Sequence, residues 1–164
     1  MPNKIYKILG INPGSRYLGF AVCYGSELRD WGIKNIQSGK LNERKERIKQ
    51  IIQSLIYQYE PSVLAIKSIN TSRSSKCLNR LVDEMIKVAQ NNGLKIHQFS
   101  IKALERSFSP LKRINKKKLA EMVAEEHPIL YLELENEKVH KNPYRIRMFE
   151  AVALSTACFH KLDK

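Results

Sequence analysis

Apolar positions along this chain follow two periods, and the switches between them mark its elements. Residues 4–11 (Lys-Ile-Tyr-Lys-Ile-Leu-Gly-Ile) form a run that ends in Asn12-Pro13-Gly14-Ser15, the pattern of a buried strand and its turn. Arg16 to Tyr24 and Leu28 to Ile36, parted by Gly25-Ser26, extend it to a meander of three antiparallel strands. From Leu41 the period lengthens. Ile48, Ile51, Ile52, Leu55, Ile56 and Tyr59 form one stripe of a helix that Pro61 stops. Ser62 to Lys67 predicts a short strand, and Asn70 to Lys76 a hydroxyl-rich basic loop. A second amphipathic helix carries Leu78, Leu81, Val82, Met85, Ile86 and Ala89 and closes at Asn91-Asn92-Gly93. Leu94 to Phe99 predicts a fifth strand. Short helices over 102–107 and 116–126 follow, the second capped by Asn115. Residues 127–145 carry mixed signals, with Glu133, Glu135 and Glu137 alternating as they would in a strand. Met148 to Leu162 is apolar on nearly every face and predicts a buried helix. The sum is one α/β domain over 1–164, a five-stranded mixed sheet flanked by helices.

Composition narrows the partners. An apolar share of 43% and a charged share of 27% exclude an intrinsically disordered chain. Twenty-nine Lys and Arg against 16 Asp and Glu leave a net charge of +13, which attracts polyanions, nucleic acid first among them. Three cysteines, odd in number and far apart, predict reduced thiols and a cytoplasmic setting. No run reaches the roughly 20 apolar residues of a membrane span, and the first residues lack a signal-peptide pattern, so no membrane partner is expected. His97, His127, His140 and His160 lack metal-ligand spacing.

One motif is specific. The stretch Ile8-Leu9-Gly10-Ile11-Asn12-Pro13-Gly14-Ser15-Arg16-Tyr17-Leu18-Gly19-Phe20-Ala21-Val22 resembles the first hairpin of RuvC-type Holliday-junction resolvases, members of the RNase H-like superfamily. Val63-Leu64-Ala65-Ile66-Lys67 and Arg147-Met148-Phe149-Glu150-Ala151-Val152-Ala153-Leu154 continue the resemblance in the expected order, across almost the whole chain. The resemblance implies an RNase H-like sheet, with the first three strands antiparallel and then two more. It also implies four acidic or imidazole groups around two divalent ions that activate water and stabilise a leaving oxygen. At those four positions this chain has Asn12, Lys67, Arg147 and Glu150. If the relatives' groups are all carboxylates, the formal charge of the site moves from about −4 to about +1.

The expectation is therefore a RuvC-like DNA-binding protein that has lost its nuclease centre, with no catalytic set intact and no metal or other cofactor. Lys67, Arg73, Lys76, Lys116, Lys117, Lys118 and Arg147 are the expected DNA contacts, and Lys67 and Arg147 are expected to flank Glu150. Thr71-Ser72-Arg73-Ser74-Ser75-Lys76 suits phosphate contacts, and Asn70 stands where relatives carry an aromatic wedge. The expected partners are branched or four-way-junction DNA and a second copy of the chain. Two alternatives stay open: an unorthodox endonuclease using Mg or Mn, and a protein-interaction adaptor on the same fold.

Overall fold

The computed structural model describes residues 5–36, 39–140 and 143–163, with the side chains of 138–140 and 143–144 left aside. Five strands pair in the order β3-β2-β1-β4-β5. They are β1 (Lys7–Asn12), β2 (Tyr17–Tyr24), β3 (Glu27–Asn35), β4 (Val63–Lys67) and β5 (Lys95–Phe99). The first three run antiparallel, whereas β1–β4 and β4–β5 are parallel; one helix leads from β3 into β4 and another joins β4 to β5. The helices are α1 (Leu41–Tyr59), α2 (Lys76–Asn91), α3 (Ile101–Phe108), α4 (Lys116–Glu126), α5 (Tyr131–His140) and α6 (Pro143–Leu162). The chain thus takes the mixed five-stranded α/β fold that its patterning predicts.

Local chemistry sets the helix ends. Ser75, Ser100 and Asn115 accept hydrogen bonds from the backbone N–H groups of Leu78, Ala103 and Lys118, so α2, α3 and α4 each start on a side-chain cap. α1 ends as Glu60 turns left-handed (φ 50) ahead of Pro61. Two expectations need correction. Residues 131–140 are helical, because long-chain Glu, Leu and Lys favour a helix and a three-residue alternation does not outweigh them. Glu133 and Glu137 therefore fall four apart on one helical face and Glu135 on another, so they form no strand face. α6 also starts at Pro143, five residues before Met148, since proline is well suited to a first helical turn.

Alternation along the central strands sorts the core into two layers. Leu9, Ile11, Leu64 and Ile66 pack with α1 and α2, while Ile8, Val63 and Ala65 pack with α4 and α6. Gly10, Asn12 and Lys67 share that second face by the two-residue period, so both strand ends present polar groups toward α6. α6 lies unusually close to the sheet. A Cβ on Gly10 would stand 2.5 Å from the Ala151 carbonyl oxygen, and one on Gly19 would overlap the Arg147 carbonyl.

α6 is also tied laterally. His127, between α4 and a short 3-10 turn (Pro128–Leu130), is buried and hydrogen-bonded to Thr156 at 2.8 Å. Cys23 contacts Ser155 at 3.2 Å, and burial pushes both the Cys23 and Cys158 thiols up to about 11, so they remain protonated packing groups.

Two expectations follow. Gly10→Ala forces a methyl group into backbone and should lower unfolding free energy in urea by about 3 kcal/mol. Burial holds the His127 imidazole below its ordinary 6.5, so it is neutral in the fold but protonates in the unfolded chain. Stability present above that value should fall on acidification from about pH 7.5 to about pH 5, because the unfolded state binds more protons. His97 shifts the same way through burial, so His127→Gln should flatten the pH dependence in part, measured by urea unfolding at each pH.

Candidate functional site

β1 and β4 run parallel with Gly10 beside Ala65 and Ile11 beside Ile66. One residue further, Asn12 and Lys67 end the two strands side by side. Ligands of open α/β sheets gather outside the carboxyl ends of such strands. Here α6 covers that edge and brings Glu150 against both residues.

Glu150 is buried, with 3% of its surface exposed. Its Oε2 accepts a hydrogen bond from Asn12 Nδ2 at 2.6 Å and one from Lys67 Nζ at 3.4 Å. Its Oε1 lies 3.8 Å from Lys116 Nζ and accepts no hydrogen bond. Asn12 Nδ2 also approaches the Arg147 carbonyl at 3.3 Å, so the amide ties β1 to two successive turns of α6.

The second cation on Glu150 is Lys116, the first residue of α4, in place of the expected Arg147. Arg147 lies one helical turn before Glu150, but its guanidinium swings away and donates to the Pro13 carbonyl at 3.3 Å. Gly14 makes room for it, since a Cβ there would stand 2.6 Å from Arg147 Nη1. Lys116 pairs across 34 residues of sequence (150 − 116), and no local spacing signals such a contact. The absence of a side chain at Gly14 is the one sequence cue for the path of Arg147.

These groups line an open cleft of about 670 Å³, with Asn12, Lys67, Lys116, Arg147 and Glu150 as its polar wall. Its three cations and one anion leave a formal charge of +2. Arg73, Lys76, Lys117 and Lys118 are exposed outside this wall, and Lys118 pairs with Glu121 at 3.7 Å. The loop after β4 is folded by Asn70, whose Oδ1 accepts from the Ser72 backbone N–H and hydroxyl at 3.1 and 2.6 Å. Among the described residues, no helix is long and apolar enough to cross a membrane.

A family model described as crossover junction endodeoxyribonuclease RuvC matches residues 8–153. The protein of that name from Citrifermentans bemidjiense is 30% identical over 124 residues, 71% of this chain and 76% of its own length. Its namesake from Pseudomonas putida strain F1 is 28% identical over 123 residues, 71% of each. Among solved structures, Thermus thermophilus RuvC in complex with Holliday junction substrate superposes with a TM-score of 0.74 at 16% identity, covering 96% of both chains. The yeast mitochondrial Holliday junction resolvase gives 0.67 at 12% identity, covering 96% of this chain and 82% of that one. The two superpositions establish likeness of fold.

The family match overturns the expectation that the chain takes no cofactor, because this family points to a divalent metal, magnesium or manganese. The side chains in the cleft nevertheless do not form a two-ion shell. Such ions need several hard oxygen ligands, and among the described residues no three His, Cys, Asp or Glu groups converge. Glu150 Oε1 is the carboxylate oxygen left without a hydrogen bond, and an ammonium group already faces it.

The two ion pairs should differ in strength. Lys67 is 22% exposed and Lys116 61%, so solvent screens the second far more. A double-mutant cycle of Lys67→Met with Glu150→Gln should give a coupling of about 1–2 kcal/mol in urea unfolding. The same cycle with Lys116→Met should give less than about 0.5 kcal/mol.

Proposed function

The chain belongs to the RuvC family of crossover junction endodeoxyribonucleases, and we propose that it is a member that binds branched DNA without cutting it. In this reading, the groups that serve two-metal hydrolysis in relatives are replaced by a seat for a backbone phosphate. The carrying observation is the occupancy of Glu150. The one carboxylate at the four positions is held by the amide of Asn12 and the ammonium of Lys67, with Lys116 opposite.

Charge explains what such a cleft does. Three cations against one carboxylate leave positive charge unmatched, and the Coulomb attraction of an anion at contact distance is about 4 kcal/mol at an effective dielectric near 20. Lys67, Lys116 and Arg147 then hold a phosphate in the cleft, while Arg73, Lys76, Lys117 and Lys118 meet the flanking backbone and position the duplex without reading sequence. A relative of the same fold was solved on a Holliday junction, which supports four-way junctions as the substrate class. We further propose that the chain is a single cytoplasmic domain acting as a homodimer, since two-fold symmetry matches that of a four-way junction.

The second reading is a metal-dependent junction endonuclease. Family membership favours it, together with the unbonded Oε1 of Glu150. Fluorescence anisotropy on a labelled four-way junction separates the readings when the strands are also run on a denaturing gel. Affinity should fall steeply with salt, and Lys67→Ala or Lys116→Ala should each lower the log–log slope by about 0.9. The strands should stay whole in Mg²⁺ or Mn²⁺. Cleavage that disappears in Glu150→Ala would establish the second reading, and a flat salt response would remove the first.

A further inference from the structure

Away from the cleft, Leu111 is the most exposed large apolar side chain among the described residues, with 100% of its surface in water. It sits on the connection between α3 and α4, in the run Ser109-Pro110-Leu111-Lys112-Arg113. The connection is held in shape: Ser109 Oγ donates to the Lys112 carbonyl at 2.6 Å, and Pro110 fixes its own φ. Leucine therefore stands on a braced tip, where its exposure is built into the backbone.

Charge surrounds that tip. Lys102 and Arg106 on α3, with Lys112 and Arg113 on the connection, line a groove of about 240 Å³ whose one acid is Glu105. Among the described residues neither these four cations nor Glu105 forms an ion pair. The same connection runs on through Asn115, the cap of α4, to Lys116 at the cleft. The connection therefore joins the basic groove to the residue that pairs with Glu150.

We infer that this connection is a second DNA-contact element, in which Leu111 enters an opened base step at a branch point while Lys102, Arg106, Lys112 and Arg113 hold the neighbouring phosphates. Apolar side chains on basic frameworks insert between base pairs and unstack them. The cost of unstacking is least where bases are already unpaired or strained, as at the crossing of a junction. Leu111 then supplies preference for branched over continuous DNA, and the cations supply affinity for both. An anionic lipid surface offers the same charge but rewards a broad apolar face, and one leucine is not such a face.

The inference rests on the reading of the chain as a junction binder, and the test separates the two. Leu111→Ala touches no packed side chain and should fold as the parent does. It should weaken four-way-junction binding about ten-fold, the loss expected for one buried leucine, and leave linear duplex binding unchanged. A 2-aminopurine placed at the branch point should brighten on binding the parent protein and much less on binding the variant. Lys112→Ala with Arg113→Ala should weaken both DNAs and reduce the salt slope by about 1.8. Junction affinity unchanged by Leu111→Ala, or an equal loss on duplex, overturns the wedge while leaving junction binding intact. A parent protein that binds neither DNA overturns both readings. Sedimentation with phosphatidylserine vesicles that depends on Leu111, with junction affinity unaffected, assigns the tip to membrane and also overturns the wedge.

Discussion

A carboxylate almost withdrawn from water must be answered by charge or hydrogen bonds, and at Glu150 that requirement organises the cleft. Removing such a group from solvent costs several kcal/mol unless its lone pairs are satisfied. β1 answers with the Asn12 amide, β4 with the Lys67 ammonium and α4 with Lys116. One side chain of α6 thereby fastens three other elements at the carboxyl edge of the sheet.

The arrangement is possible only because α6 can reach the sheet. Gly10 and Gly19 present bare backbone to the carbonyls of Ala151 and Arg147, and any side chain at either would lift the helix off the strands. Lifting it would take Glu150 out of range of both strand ends. The two-residue period of β1 and β4 does the rest by turning Asn12 and Lys67 toward α6 while Ile11 and Ile66 face the opposite layer.

Much of this arrangement is legible in the sequence. The meander, α1, α2 and α4 follow from apolar spacing, and the Asn115 cap lies where a polar residue precedes an apolar stripe. The hairpin motif located Asn12, and strand order placed Lys67 beside it. What escaped were features set by tertiary contact. α5 is hidden because Glu133, Glu135 and Glu137 alternate at the two-residue period of a strand, although the segment folds as a helix. Lys116 reads in the sequence only as a basic DNA contact, which says nothing of a carboxylate on another helix. Arg147 shares the face of Glu150 by sequence spacing, yet the space left by Gly14 draws its guanidinium to Pro13.

The chemistry of the cleft then turns on which charge neutralises Glu150. In the proposal, ammonium groups do so and leave surplus positive charge to grip a phosphate. Family membership keeps divalent metal in view as the competitor for the same oxygens. The most direct measurement is a crystal structure of the protein on an intact four-way junction grown with Mn²⁺. The account predicts an uncut strand with a phosphate oxygen within hydrogen-bonding distance of Lys67 Nζ or Lys116 Nζ. A severed strand, with manganese bridging Glu150 to the phosphate, would contradict it.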